Sequence, residues 1–210
     1  MRNTARYTLQ RLQDELPRLP EDARPAAQRV LDLEPQLLKY FQSLRALRVS
    51  ASRIRCHGDY GLGQVLHTGK DFMIVDFEGH PTLPVSERRI MRLVLRDITG
   101  MLCSFHYAAD MALTRQIHPG RLAPDERRTL AVWADCWRLW VSVAFLKGCL
   151  DTLGRSPLLP RTDAELQALL EVYLLHRLVD ELGNHLAAEI SLVRPACEGI
   201  LQLLQRPPAP

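Results

Sequence analysis

The chain has 210 residues, enough for one sizeable core and short for two full domains. Its 47% hydrophobic and 24% charged residues are those of a soluble globular protein. A net charge of +3, from 27 basic and 24 acidic residues, excludes a strong field drawing it to nucleic acid or an acidic membrane.

In chain order, residues 2–17 and 21–49 carry the helical period. Leu9, Leu12 and Leu16 share one face of the first. Val30, Leu33, Leu37, Leu38, Phe41, Leu44 and Leu47 continue the pattern in the second. Pro20 separates the two, and Pro35 is placed to divide the second. From residue 53 the period changes. RIRC, QVLHTG and DFMIVDF are short apolar runs bounded by glycines, and HTGKD reads as a tight hairpin turn with Gly69 at positive φ.

After GHPTLP the helices resume, starting near Ser86 and then over 96–117, 124–152, 162–185 and 187–206, with Thr162 or Asp163 as a cap. Breaks fall at HPGRLAPD and GRSPLLPRTD, Pro195 interrupts the last rod, and RPPAP is a frayed tail. The expected fold is α+β but mostly α. It is one domain with leading helices over 1–52, a catalytic loop and hairpin over 53–80, and a helical bundle over 81–206.

The opening MRNTARYTLQ has no apolar core, so no secretory signal is expected. Asp135, Arg138 and Lys147 break the apolar stretch LAVWADCWRLWVSVAFLKGCL, which favours a buried helix over a membrane span. Five cysteines, odd in number and with no CxxC pair, read as reduced thiols of a cytoplasmic protein.

The chemistry concentrates in HGDYGLGQVLHTGKDFMIVDFEG, residues 57–79. Asp59 sits in a glycine-containing loop, and Asp76 ends the apolar run FMIV. A carboxylate ending a buried strand needs a hydrogen bond, a proton or a metal. Gln64, five residues after Asp59, supplies an amide oxygen that joins Asp76 as a ligand set for one Mg²⁺. Protein-kinase-type phosphotransferases use such a layout: His-x-Asp, an amide four or five residues on, then Asp-Phe-x after a strand. His57 then props the loop, Asp59 is the base, Gln64 and Asp76 hold the metal under ATP, and Glu78 supports the metal or its water. An aspartate in a glycine loop is by itself ordinary turn chemistry; the joint spacing carries the reading.

HGDYGLGQVLHTGKDFMIVDFEGHPTLPVSERRIMRLVLRDITGMLCSFHYAA resembles the catalytic segment of bacterial maltokinases, free or fused to trehalose synthase. The resemblance is strongest over 53–109 and implies an aminoglycoside-phosphotransferase-like kinase fold. It also implies Mg²⁺- and ATP-dependent phosphorylation of maltose at its anomeric hydroxyl. Two positions depart from that family. Gly61 stands where its loop carries a second histidine, which removes a contact and loosens the loop. GNHLAAEISLVRP stands where an Asn-Asn-Arg-Pro run is usual.

The glycine-rich loop and strand lysine of a kinase N-lobe are missing. The first glycine is Gly58, and the only lysines are Lys39, Lys70 and Lys147. The chain therefore reads as a C-lobe, inactive without its N-lobe. The alternatives are a naturally short non-catalytic binding module, or a kinase for another sugar. Expected partners are maltose or a related sugar and the missing N-lobe or a trehalose synthase domain, without nucleic acid or membrane.

Tyr60, Arg96, Asp97 and Tyr107 are candidates for the substrate side, with His106 beside Tyr107, and the resemblance implies that Arg96 and Asp97 brace the catalytic loop. Asp97 as an N-cap is the plainer alternative. SERR (Ser86 to Arg89) reads as a solvated face, with phosphate contact as the alternative, His118 as a helix end, and Trp133, Trp137 and Trp140 as core packing at helical spacing, with a sugar-stacking platform as the alternative.

Overall fold

The computed structural model describes residues 1–43, 49–80, 83–116 and 123–205. Leu44, Leu47, the middle of GHPTLP, His118 and RPPAP lie outside the described residues. The chain divides into two compact units, Met1–Ser52 with Leu159–Pro210, and Arg53–Leu158.

The first unit is all helix. Leucine spacing gives α1 (Arg2–Glu15) a buried face of Ala5, Leu9 and Leu12. The helical run over 21–49 is divided near Pro35, as that proline predicts, into α2 (Arg24–Asp32) and α3 (Glu34–Ser43). Pro35 stands in the first turn of α3, where no N–H is needed. α7 (Asp163–Ala188) starts at Thr162, whose hydroxyl accepts the Glu165 N–H at 3.2 Å, the expected cap. Leu169, Val172, Leu175, Val179, Leu182 and Leu186 give it a buried stripe against α1 and α8.

A helix expected over 187–206 begins later. A 3-10 turn at Ile190–Leu192 precedes α8 (Val193–Leu204), so Pro195 falls in a first turn that tolerates it. Ser50 is tied to the first turn of α7: its N–H and hydroxyl donate to the Glu165 carboxylate at 2.7 and 2.8 Å. Those bonds hold the Glu165 carboxyl below the usual range.

The second unit begins at an isolated antiparallel bridge between Ile54 and Arg92, with N···O distances of 2.9 and 2.8 Å. Then come β1 (Val65–His67) and β2 (Phe72–Ile74), antiparallel with Val65 opposite Ile74 and His67 opposite Phe72. Gly69 has φ 91° in the connecting turn, and the Thr68 hydroxyl exchanges two 3.0 Å bonds with the Asp71 backbone. The short α4 (Val85–Arg88) precedes α5 (Leu95–Gln116) and α6 (Pro124–Leu153), which pack together. The Phe105 ring meets Phe145 and Trp137 edge-on at 5.7 and 6.3 Å.

Two expectations are corrected here. β2 is exposed along its length, with Phe72 68% and Met73 56% accessible, so Asp76 does not end a buried strand. α6 is not a buried helix. None of its most apolar window is buried, and Trp133 and Trp140 are 68% and 73% exposed. It is the one helix, among the described residues, long and apolar enough to cross a membrane by length and composition. Apolar spacing reports a face; only packing reports what covers it, and only α5 packs well against α6.

Candidate active site

The loop His57–Gln64 is built by backbone contacts that only certain residues permit. Gly58 takes φ 86°, a left-handed conformation natural to glycine. Gly79, just beyond the DFE triplet, takes φ 79°, and a Cβ there would lie 3.4 Å from the His57 carbonyl oxygen. A Cβ on Gly58 would in turn lie 3.6 Å from the Gly79 Cα. The two glycines thus let HGD and DFEG pass at backbone contact.

Side chains then lock the crossing. His57 is 8% exposed, and its Nε2 lies 2.7 Å from the Val75 carbonyl oxygen, one residue before Asp76. The Val75 N–H donates to the Gln64 carbonyl at 3.0 Å. His57 also stacks obliquely on Phe77 and Tyr60, at centroid distances of 5.0 and 5.7 Å. Through Val75, the sequence-selected His57, Gln64 and Asp76 come together, with Asp59 two residues along the same loop.

Asp97, the third residue of α5, is not its cap. Its Oδ2 accepts the His57 N–H at 2.7 Å and its Oδ1 the Gly58 N–H at 2.9 Å. The neighbouring Arg96 reaches the Gly58 carbonyl oxygen at 3.4 Å. Both residues therefore grip the loop backbone. The grip continues at Ser104, about two turns on, whose Oγ accepts the Leu62 N–H at 3.1 Å and donates to the Met101 carbonyl at 2.8 Å. Gly100 lets the loop touch the helix: a Cβ there would sit 2.5 Å from the Tyr60 carbonyl oxygen.

Ser104 and Gly100 escaped sequence reasoning. Their spacing of four along α5, with Asp97 three residues earlier, is the signal that marks one helix face. Gly61 also departs from expectation. It is buried at an extended φ of −164°, and a Cβ there would meet the Ser104 Cβ at 3.3 Å. The glycine brings close packing, not a loose loop.

Asp76 has φ 64°, the one left-handed residue other than glycine among the described residues. Such strain persists where surrounding structure imposes it, and it gathers at functional sites. Asp76 and Glu78 are exposed, Asp59 and Gln64 half-buried. No cluster of three His, Cys, Asp or Glu side chains forms a metal cage among the described residues. One carboxylate and one amide oxygen nonetheless fit Mg²⁺, which keeps several waters and takes phosphate oxygens.

Burial raises the Tyr60 phenol pKa, with Cys149 and Asp97 adding to it, so Tyr60 keeps a neutral hydroxyl. Cys56, whose Sγ lies 3.4 Å from the Leu93 carbonyl oxygen, is pushed up to about 11 by burial and by Asp97. It stays a neutral thiol, unsuited as a nucleophile. Tyr107 lies farther along α5, its ring edge-on to His106 at 5.7 Å.

No family model matches the chain. A glucosamine kinase of Streptacidiphilus jiangxiensis is 30% identical over 81 residues, 39% of this chain and 18% of that protein. A glucosamine kinase of Mycolicibacterium smegmatis (strain ATCC 700084 / mc(2)155) is 36% identical over 86 residues, 40% of this chain and 22% of that protein. Among solved structures, a glucosamine kinase in complex with glucosamine, ADP and inorganic phosphate gives a TM-score of 0.69 at 22% identity. That match covers 95% of this chain and 44% of the other. Crystal form B of a glucosamine kinase gives 0.68 at 20% identity, covering 95% and 45%.

The matches span about a fifth of the curated relatives and less than half of the solved chains. The chain thus has sugar-kinase-like relatives over part of its length and shares a glucosamine kinase's fold over nearly all of it. Maltokinase in particular is not singled out.

Proposed function

We propose that this chain is the helical lobe of a sugar kinase that moves the γ-phosphoryl group of ATP to a sugar hydroxyl. A second, nucleotide-clamping lobe is required for turnover. The observation that carries this reading is the 2.7 Å contact of His57 Nε2 with the Val75 carbonyl, which joins the HGD loop to the DFE triplet. In this reading Asp59 accepts the proton of the sugar hydroxyl as its oxygen bonds to the γ-phosphorus. The bond from that phosphorus to the bridging oxygen breaks, and ADP leaves. Gln64 Oε1 and the Asp76 carboxylate would hold Mg²⁺, which would supply positive charge against the phosphates, and Glu78 would support that site. Tyr60 and Tyr107 lie toward the sugar, while Arg96 and Asp97 position the loop.

Two curated relatives, both glucosamine kinases, favour glucosamine as the sugar. The HGDYGLGQ–DFE run favours maltose, phosphorylated at its anomeric hydroxyl. The exposed hairpin side chains Leu66, Phe72, Met73 and Ile74, with Phe77, offer an apolar face to the absent lobe or to a fused trehalose synthase domain. Five cysteines outside any disulfide suit a cytoplasmic setting.

The test is ³¹P NMR of the chain with Mg-ATP and either glucosamine or maltose, alone and with a kinase N-terminal half added in trans. Asp59→Asn serves as the control. A sugar phosphate that appears with the added half and vanishes in the variant supports the reading, and the sugar that reacts decides the substrate. Silence with both sugars and the added half overturns it in favour of a binding module.

A further inference from the structure

The turn that carries Gln64 is held from two sides. Leu62–Gln64 form a single 3-10 turn, which Gln64 closes by donating its N–H to the Gly61 carbonyl at 3.1 Å. At one end the Gln64 carbonyl accepts the Val75 N–H at 3.0 Å, which ties the turn to the residue before Asp76. At the other end the Leu62 N–H donates to Ser104 Oγ at 3.1 Å. Ser104 is set firmly on α5, between Cys103 and Phe105, which are 2% and 5% exposed. Its hydroxyl hydrogen is committed to the Met101 carbonyl at 2.8 Å, which leaves a lone pair facing the turn.

Gly61 brings the Gln64 side chain into the same contact. A Cβ on Gly61 would stand 3.3 Å from Ser104 Cβ, 3.6 Å from Ser104 Oγ and 3.5 Å from Gln64 Oε1. The amide oxygen selected as a metal ligand and the serine hydroxyl thus border one spot, which any larger residue at 61 would fill. Gly61 is buried there at an extended φ that any residue adopts, so it provides space and not backbone freedom. Gly63 differs: it is exposed, and an added Cβ would meet nothing within 4 Å. The inner side of the turn is fitted against α5, and the outer side is open.

We infer that Ser104 is a positioning residue for Gln64, and that Gly61 leaves the room in which the Gln64 amide oxygen is seated. The role rests on the kinase reading above, in which Gln64 and Asp76 are the ligands of Mg²⁺. A glutamine must fix several side-chain torsions before its oxygen serves as a ligand, and fixing them beforehand keeps that entropy out of the binding step. Ser104 holds the Leu62 end of the turn to α5 while Val75 holds the Gln64 end. The helix that grips the HGD backbone through Asp97 therefore also sets the reach of the metal ligand.

Two measurements on the full chain test the role without turnover. Water-proton relaxation with Mn²⁺ gives the metal affinity. The ¹⁵N–¹H signals of the Gln64 side-chain amide, identified by their loss in Gln64→Glu, report its seating in the absence of metal. Ser104→Ala keeps the Cβ beside Gly61 and leaves the exposed Leu62 N–H to water, so its urea midpoint is expected to match wild type. It is expected to shift the Gln64 amide signals without metal and to weaken Mn²⁺ binding about threefold, the scale of one neutral hydrogen bond. Gly61→Val, which drives carbon onto the seat, is expected to weaken Mn²⁺ binding about tenfold. Gly63→Ala is expected to change neither readout. Unmoved amide signals in Ser104→Ala, or an Mn²⁺ affinity that survives there but falls in Asp76→Asn, overturn the positioning role and leave the metal reading standing. Equal losses in Gly63→Ala and Ser104→Ala, or a loss that comes only with a lowered urea midpoint, make the serine a general structural contact and likewise overturn it. A wild-type chain that takes up no Mn²⁺ removes the metal reading itself, and the positioning role with it.

Discussion

Asp97 Oδ2 accepts the backbone N–H of His57 at 2.7 Å across forty residues of sequence. With Oδ1 on the Gly58 N–H at 2.9 Å, one carboxylate fixes two successive peptides of the loop. Charge-assisted bonds of this kind contribute about 1.5–3 kcal/mol each where water is excluded, less at this half-buried site. Asp97→Ala is therefore expected to destabilise the fold by about 2 kcal/mol, and Asp97→Asn, which keeps one acceptor, by about 1 kcal/mol. Urea unfolding followed by far-UV circular dichroism measures both. Equal stability of wild type and Asp97→Ala would remove the clamp from the account.

Two helical glycines should respond with opposite sign. Replacing glycine by alanine in a helix interior normally stabilises by roughly 0.5–1 kcal/mol. Gly148, on the exposed part of α6, has nothing within 4 Å of an added Cβ, and Gly148→Ala should gain about that amount. At Gly100 the added Cβ would lie 2.5 Å from the Tyr60 carbonyl oxygen, a backbone atom. Gly100→Ala should lose roughly 1–3 kcal/mol as helix and loop are forced apart. Thermal melts of the pair decide it, and a Gly100→Ala that melts higher than wild type contradicts the contact.

These contrasts show what was legible in the sequence. His57, Asp59, Gln64 and Asp76 could be selected because a loop, a hairpin and a following triplet are local, and their spacing survives folding. Asp97 could be read either as a cap or, through the family resemblance, as a brace for the loop; its partners His57 and Gly58 lie on another element, and no local pattern names them. The helical period correctly marked α1 and α7, whose apolar faces are buried. The same period at Trp133, Trp137 and Trp140 was read as core, because periodicity carries no information about what covers a face. Gly61 was read as loosening for a similar reason: its closeness to Ser104 exists only in three dimensions.

Asp76 holds φ 64°, which costs an ordinary side chain about 1 kcal/mol and glycine almost nothing. If the carboxylate is kept for a metal, stability and binding should separate there. Asp76→Gly is expected to keep the stability of the wild type within about 1 kcal/mol, while Asp76→Val loses roughly 1–3 kcal/mol. Both should lose binding of Mn²⁺, used as a paramagnetic stand-in for Mg²⁺ in water-proton relaxation. Undiminished Mn²⁺ binding by Asp76→Gly would take the metal role away from this residue.

His185, near the end of α7, supplies a pH signature in the first unit. Burial lowers its pKa against the pull of Glu181 and Glu189, with Arg177 adding to the lowering. Its Nε2 lies 3.8 Å from Glu181 Oε2. The ring is thus neutral in the fold at a pH where the unfolded chain begins to protonate it. Between the folded pKa and the unfolded value near 6.5 the unfolded state binds more protons, so stability rises with pH through that window. The contribution is complete above about pH 6.5 and is lost progressively as acid carries the pH down toward the folded value. His185→Gln removes the titration and keeps a side chain of similar reach. The difference in unfolding free energy between wild type and this variant, from urea melts at several pH values, should therefore shift against the wild type as pH drops below 6.5. A difference that stays flat, or moves in the wild type's favour on acidification, would mean that the fold does not hold His185 in its neutral form.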